Sequence, residues 1–156
     1  MLETRDMQAG DVPACVHILN HIIGLGGTTA YEEPFTLEGF DRDYRLTPPV
    51  SNVVLHQGRI VGFQVAFDIG NGLYSIASFT DRENPVKGAG YALFDKTLAD
   101  CRKLGGVAIL ARITSDNTGG LAFYSRLGFE DDHVIPEDHM RPDGTMVDRI
   151  VKRHPL

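Results

Sequence analysis

Asn84-Pro85-Val86-Lys87-Gly88-Ala89-Gly90-Tyr91-Ala92-Leu93-Phe94 is the stretch on which the fold of this chain turns. It follows an apolar, strand-like run, Ser75-Ile76-Ala77-Ser78-Phe79, and opens a helical pattern. From Gly90 onward apolar side chains recur at Tyr91, Phe94, Leu98 and Cys101, one stripe of a 3.6-residue period. Lys103 in the last turn and Gly105-Gly106 beyond it mark a stop. The loop therefore empties into a helix N-terminus. Backbone N–H groups there lack partners, and the macrodipole places about half a positive charge at that end. Gly88 and Gly90 have no Cβ, so the backbone can curl and an anion can approach closely, while Lys87 adds a formal charge. A loop of this kind can cradle a phosphate; it is also compatible with a tight strand-to-helix turn that binds nothing. Two common phosphate loops are excluded. Gly90 is followed by Tyr91-Ala92, so there is no Gly-x-x-x-x-Gly-Lys-Ser/Thr. Nor does a Gly-x-Gly-x-x-Gly stand near the chain start with an acidic residue about 20 positions on.

About thirty residues downstream lies a second motif, Asn117-Thr118-Gly119-Gly120-Leu121-Ala122-Phe123-Tyr124-Ser125-Arg126-Leu127-Gly128-Phe129. Together the two stretches resemble the GCN5-related N-acetyltransferase (GNAT) superfamily. Its cofactor loop reads Arg/Gln-x-x-Gly-x-Gly/Ala at the start of the central helix, and its later helix reads Asn-x-x-Ala-x-x-x-Tyr-x-x-x-Gly-Phe. Gly88 and Gly90 match the first pattern, and Asn117, Tyr124, Gly128 and Phe129 the second. Two departures stand out. Pro85 occupies the usual Arg/Gln position and removes a backbone N–H; Gly120 replaces the usual Ala. An earlier run, Asn20-His21-x-Ile23 followed by Thr28-Thr29-Ala30-Tyr31-Glu32-Glu33-Pro34, is similar to the phosphinothricin-acetyltransferase branch, where this loop lines the acceptor pocket.

The remaining chain reads in order as β-α-α-β-β-β-α-β-α-β-β. Leu2 to Arg5 reads as a first strand. Asp11 can cap a helix with Pro13 in its first turn and a buried stripe of Val12, Cys15, Val16, Leu19, Ile22 and Ile23, ended by Gly24 to Gly27. Thr36 can cap a second helix reaching Leu46, and Pro48-Pro49 separates the helical half from a β half. Val53 to His56 and Arg59 to Phe67 flank Gln57-Gly58, a two-residue hairpin turn. Gly70-Asn71-Gly72 turns into a strand from Leu73 to Thr80. Val107 to Ile113 is apolar enough for a strand buried on both faces. Asp143-Gly144 marks a last hairpin between His139-Met140 and Met146 to Val151, and the residues before it read as a solvated connection. The expected architecture is α/β (α+β): a mixed, mostly antiparallel sheet of the GNAT fold, splayed at strands 4 and 5, with helices on both faces. A ligand then sits where those strands part, beside a helix N-terminus.

Composition bounds the function. The 156 residues suit a single domain, 1–156, with a sizeable core. No run approaches the roughly 20 apolar residues of a membrane span, and Met1 to Asp6 lacks the apolar segment of a signal peptide. Cys15 and Cys101 fall at apolar helix positions, so buried free thiols and a cytoplasmic location are expected. The net charge of −6 argues against a nucleic-acid partner and is compatible with a cationic amine. His17 and His21 have metal-like spacing but no third ligand nearby, so they read as surface histidines and no metal is expected.

The resemblance implies transfer of an acetyl group from acetyl-CoA, as co-substrate, to a primary amine of a small, amino-acid-like molecule. It leaves open a homodimer, an acceptor that is a protein N-terminus or lysine, and a non-catalytic acyl-CoA-binding module. Carried over residue by residue, it places the cofactor at Phe79, Thr80, Val86, Lys87, Gly88, Ala89, Gly90, Tyr91, Asn117 and Phe123. Tyr31 and Glu32 would contact the acceptor. Tyr124 would be the acid beside the leaving sulfur, although Phe123 and Leu127 show that its helix also packs; Asn117 can equally be a helix cap. An alkyl amine of pKa about 10 is only ~0.1% neutral at pH 7, so a base is needed. The strand Leu73 to Phe79 carries no carboxylate, which leaves Glu32 or a chain of waters. His133, Glu137, Asp138 and His139 are further polar candidates for the pocket rim.

Overall fold

In a computed structural model, which describes residues 1–156, the elements follow the expected order. They are β1 (Leu2–Asp6), α1 (Val12–Leu25), α2 (Leu37–Phe40, continued by a π-helical stretch Asp41–Leu46), β2 (Val50–His56), β3 (Arg59–Gly70), β4 (Leu73–Thr80), α3 (Ala89–Lys103), β5 (Ala108–Thr114), α4 (Thr118–Arg126), β6 (Glu130–Met140) and β7 (Met146–Pro155). The strands form one sheet in the order β1-β2-β3-β4-β5-β7-β6. Only β4 and β5 pair in parallel. Both tight hairpins have the geometry their sequences dictate. Gln57 and Gly58, at φ 51° and 76°, form a two-residue turn closed by the His56–Arg59 pair, and Asn71 and Gly72 repeat it. Positive φ at both central positions matches the twist of the flanking strands.

Helices cover both faces. The apolar stripe of α1 and the rings of Phe40 and Tyr44 pack on Val53, Phe63 and Val65. Phe94 and Cys101 of α3 and Tyr124 of α4 pack on Ile76, Ile109, Ala111 and Ile113. Alternation along β5 fixes which face each residue serves. Ile109, Ala111 and Ile113 belong to the α3/α4 face, so Arg112 and Thr114 project to the α1 face. Both cysteines are buried free thiols, and burial pushes the Cys101 thiol up to about 12. No helix is long and apolar enough to cross a membrane.

The feature that makes a site is a break in pairing. β4 and β5 are bonded only from Leu73–Ala108 to Ile76–Ala111. Beyond Ile76, β4 continues along β3 to Thr80; beyond Ala111, β5 continues along β7 to Thr114. A gap opens between them.

Local expectations differ from the structure in four places. Asp11 makes no cap for α1; its buried carboxylate takes Arg5 through two bonds of 2.7 and 3.0 Å and the Gln8 amide at 2.8 Å. Tyr91 is not in the buried stripe of α3. That stripe runs through Ala89, Leu93, Phe94, Thr97 and Cys101, while Tyr91 is 44% exposed with its ring against Phe123. His21 is not a free surface histidine: its Nδ1 is enclosed without a partner. Residues 130–138 form most of an edge strand rather than a connection. Register shifts between Asp131 and His133 and between Ile135 and His139 absorb Pro136, the irregular edge setting in which proline is tolerated.

Candidate active site

The gap is the mouth of a cleft of about 970 Å³ that runs from the α3/α4 face to the α1 face. On the first face the loop before α3 lines it through Val86, Gly88, Ala89, Gly90 and Tyr91. Of the backbone amides from Val86 to Tyr91, only that of Ala89 donates within the protein, to Val86 O at 3.3 Å. The others are unengaged at the N-terminus of a 15-residue helix. Gly88 takes φ +87°, the left-handed turn that swings the chain into α3. A Cβ there would meet only Leu2, at 3.6 Å, so conformation and not space demands glycine. At Gly90 the constraint is space. A Cβ would lie 2.7 and 2.9 Å from Phe123 ring atoms, so this glycine lets the first turn of α3 close against α4. Lys87 is exposed and does not line the cleft. Upstream, Asp81 organises the loop. It accepts from the Glu83 and Asn84 amides at 2.9 and 3.1 Å and pairs with Arg59 at 2.7 Å.

From α4 come Asn117, Gly120, Phe123 and Tyr124. Asn117 caps the helix, its side-chain oxygen accepting from Gly120 N at 2.9 Å. A Cβ at 120 would sit 2.5 Å from the Asn117 amide nitrogen, so glycine there lets the cap fold back onto its own helix. Tyr124 is only 8% exposed and lines the cleft, and its hydroxyl has no partner in the protein. Burial pushes its pKa well above the usual tyrosine value, so the hydroxyl stays protonated. Along β4, Asp81 N donates to Val61 O on the β3 side. Alternation then turns the Phe79 N–H to β3 and the Ser78 and Thr80 N–H groups to the gap. Phe79 contributes its ring to the α1 face instead.

That face is a second compartment. Thr28, Thr29, Ala30, Tyr31, Tyr44, Phe67, Ser75 and Phe79 line it. Tyr44 OH donates to Tyr31 OH at 2.7 Å, which positions the Tyr31 hydroxyl. Glu32 does not join Tyr31 in the cleft. One of its oxygens, Oε2, takes both His139 Nε2 at 2.6 Å and Arg141 Nη1 at 3.1 Å. The His139 hydrogen bond and the Arg141 cation outweigh burial and hold the carboxyl below its usual range. A carboxylate so engaged is a poor proton acceptor, and the expectation of a base at Glu32 is corrected on that ground.

Arg141, 7% exposed, is the hub of this arrangement and escaped the sequence reading. It grips Asp116 with two bonds of 2.9 and 2.8 Å, Thr29 O at 2.6 Å and Thr114 Oγ1 at 3.0 Å. One guanidinium therefore ties the loop of residues 28–32 to the end of β5 and to the residue before Asn117. Arg141 pairing lowers the Asp116 pKa. Of the rim candidates, His139 meets Glu32, and Asp138 lies 3.1 Å from Arg149; His133 pairs with Asp132 on the outer strand. His17 pairs with Glu83 at 2.7 Å, and no cluster of metal-ligating side chains exists. Besides Arg141, sequence reasoning missed Ser75, Ser78, Arg82, Arg112 and Arg149, all of which line the cleft. For Arg112 a signal was present, a lone charge inside an apolar strand.

Comparison with known proteins agrees with this fold. The model of the acetyltransferase (GNAT) family matches residues 23–129. A GNAT superfamily phosphinothricin acetyltransferase from Sinorhizobium meliloti, solved with acetyl-CoA, superposes with a TM-score of 0.85 at 22% identity, over 99% of this chain and 88% of that one. A GCN5-related N-acetyltransferase from Kribbella flavida gives 0.86 at 23% identity, over 99% and 98%. A ribosomal-protein-alanine N-acetyltransferase from Brucella melitensis gives 0.85 at 17% identity, over 99% of each chain. No curated protein sequence matches the chain.

Proposed function

The chain belongs to the acetyltransferase (GNAT) family, and on that premise we propose that it acetylates the primary amine of a small, amino-acid-like molecule, with acetyl-CoA as donor. The observation that carries this is the run of amides from Val86 to Tyr91, all but that of Ala89 unengaged, beside the point where β4 and β5 part. Those amides and the positive end of α3 fit a diphosphate. Val86, Lys87, Gly88, Ala89, Gly90 and Tyr91 would hold it, with Asn117 and Phe123 flanking. Pro85 supplies no N–H, so the donor row begins at Val86.

Acetyl-CoA supplies an activated acyl group: the amine nitrogen forms a bond to the carbonyl carbon, the C–S bond breaks, and the amine proton ends on the released thiol. The chain's residues serve this in three ways. The Ser78 and Thr80 N–H groups face the gap and can accept charge developing on the carbonyl oxygen, worth about 3–4 kcal/mol per well-placed donor. Tyr124 donates a hydrogen bond to the departing sulfur. Full transfer of its proton is uphill, because its raised pKa exceeds the ~8.5 of a thiol. The compartment around Tyr31, Thr28 and Ser75 offers hydroxyls through which water carries away the first proton of the ammonium before attack, the second being the one that ends on the thiol. Both Asp116 oxygens are held by Arg141 and Glu32 is held outside, so deprotonation falls to water rather than to a carboxylate.

The aromatic lining of the acceptor compartment, Tyr31, Tyr44, Phe67 and Phe79, favours a small molecule over a protein N-terminus or lysine. A Tyr124 that lines the cleft with its hydroxyl unpartnered supports catalysis over mere acyl-CoA binding. We place the protein in the cytoplasm, consistent with its two buried thiols, and the reaction itself calls for no metal. Calorimetric titration with acetyl-CoA, followed by thiol release over a panel of amines, tests the reading. Binding plus turnover of a small amine is expected; no binding at millimolar acetyl-CoA removes it.

A further inference from the structure

The protein is acidic, yet the side chains lining the cleft that carry an unpaired charge, Arg82 and Arg112, are positive. Its charged lining residues are Arg82, Arg112, Asp116 and Arg149. Asp116 is neutralised, since Arg141 takes both of its oxygens. Arg112 is exposed and has no ion-pair or hydrogen-bond partner. Arg149 stands 3.1 Å from Asp138, but off-line: its Nε is buried and finds no hydrogen-bond acceptor. Arg112, with no carboxylate partner, and Arg149, with an orphaned Nε–H, leave guanidinium donors in the cleft that an anion can engage.

Strand register decides which anion. Thr114 pairs with Arg149 and Arg112 with Val151, so Arg112 and Arg149 are diagonal neighbours on one face. That face is the one carrying Thr114, whose hydroxyl donates to Thr28 O at 2.9 Å. It is the α1 face, across the sheet from the cradle before α3. The diphosphate cannot satisfy these two arginines from there. The remaining occupant of the compartment is the acceptor. Its other walls are Tyr31, Tyr44, Phe67 and Phe79, aromatic and uncharged.

We propose that Arg112 and Arg149 bind the acid group of the acceptor, which is an amino carboxylate with an apolar side chain, and that they determine specificity by rejecting polycationic amines. This rests on the acetyltransferase reading and extends it. An acid group held on β5 and β7 leaves the amine facing the gap at Ala77–Phe79, where the acyl group is delivered. A polyamine would bring further positive charge against two guanidiniums, of which only Arg149 has a carboxylate, Asp138, beside it.

The test panel is L-methionine and L-phenylalanine, each beside its carboxamide, with spermidine as polycation and thiol release from acetyl-CoA as readout. Wild type should prefer acid over carboxamide by about 10–100-fold in kcat/KM, the worth of one strong charge-assisted pair. In Arg112→Gln and Arg149→Gln that ratio should collapse toward one, chiefly through KM, with acetyl-CoA affinity as the control for folding. Phenylacetate, titrated calorimetrically, covers acceptors outside the panel: wild type should bind it, and each variant about tenfold more weakly or worse. Equal use of acid and amide, preference for spermidine, or phenylacetate binding that is absent or indifferent to both substitutions would overturn the assignment. Failure of acetyl-CoA to bind would instead overturn the acetyltransferase reading beneath it.

Discussion

Arg141→Ala should unfasten the loop of residues 28–32 and lower stability together. The guanidinium makes two bonds to Asp116 and one each to Glu32, Thr29 O and Thr114 Oγ1. Deleting one partner of a fully buried ion pair costs about 3–5 kcal/mol. Here the stranded carboxylates are partly wet, with side-chain exposures of 34% for Asp116 and 23% for Glu32, so water recovers part of the loss. The expected cost is about 2–3 kcal/mol, which for a chain of this size lowers Tm by roughly 5–10 °C. Urea unfolding and scanning calorimetry measure it, and hydrogen exchange at Thr28–Tyr31 should show lost protection. Arg141→Lys should restore only a minor part, because a point charge cannot chelate both Asp116 oxygens and still reach Thr29. The sign of the pH dependence follows from the same pairs. Asp116 and Glu32 are depressed below 3.8 and 4.5, so their contribution is complete above those values and is lost as pH falls through and below them. Wild type should therefore lose Tm below about pH 4.5 more steeply than Arg141→Ala. A Tm change under 1 °C with unaltered exchange at the loop would refute the clasp.

Further outcomes follow from single contacts. Gly90→Ala forces a Cβ to within 3 Å of Phe123 and should cost about 1–3 kcal/mol in denaturant melts, so weakened acetyl-CoA binding would report a displaced helix rather than a blocked phosphate. Tyr124→Phe should lower kcat by about 10²-fold or more with acetyl-CoA affinity within a few-fold; unchanged kcat reassigns Tyr124 to packing. With no free carboxylate in the cleft, kcat/KM for a fixed amine should climb about tenfold per pH unit toward the amine's own pKa, and burial keeps Tyr124 from ionising in that range. A plateau near pH 5–6 would reveal an enzymic base.

The order of elements was legible because apolar periodicity and turn chemistry are local. Gln57-Gly58 reads as a two-residue hairpin turn and Val107 to Ile113 as an inner strand, which the structure begins one residue later at Ala108. The loop proposed to hold a diphosphate was legible for the same reason: a glycine at a left-handed turn before a helix is written within six residues. The acceptor side was not. Glu32 looked available because nothing near it in sequence neutralises it; its partners His139 and Arg141 lie more than a hundred positions away. Arg112 and Arg149 become neighbours only through the β5–β7 register, which no local signal sets. Tyr91 misled because it fell on an apolar stripe whose true centre, at Leu93 and Thr97, lies a few residues around the helix.

The most direct test of the phosphate cradle is an acetyl-CoA titration of 15N-labelled protein. Amides of Val86, Lys87, Gly88, Gly90 and Tyr91 should shift and gain exchange protection at saturation, while Gly105 and Gly106 at the far end of α3 stay still. Binding that leaves the first group unmoved, or shifts that cluster away from the β4–β5 gap, would contradict it.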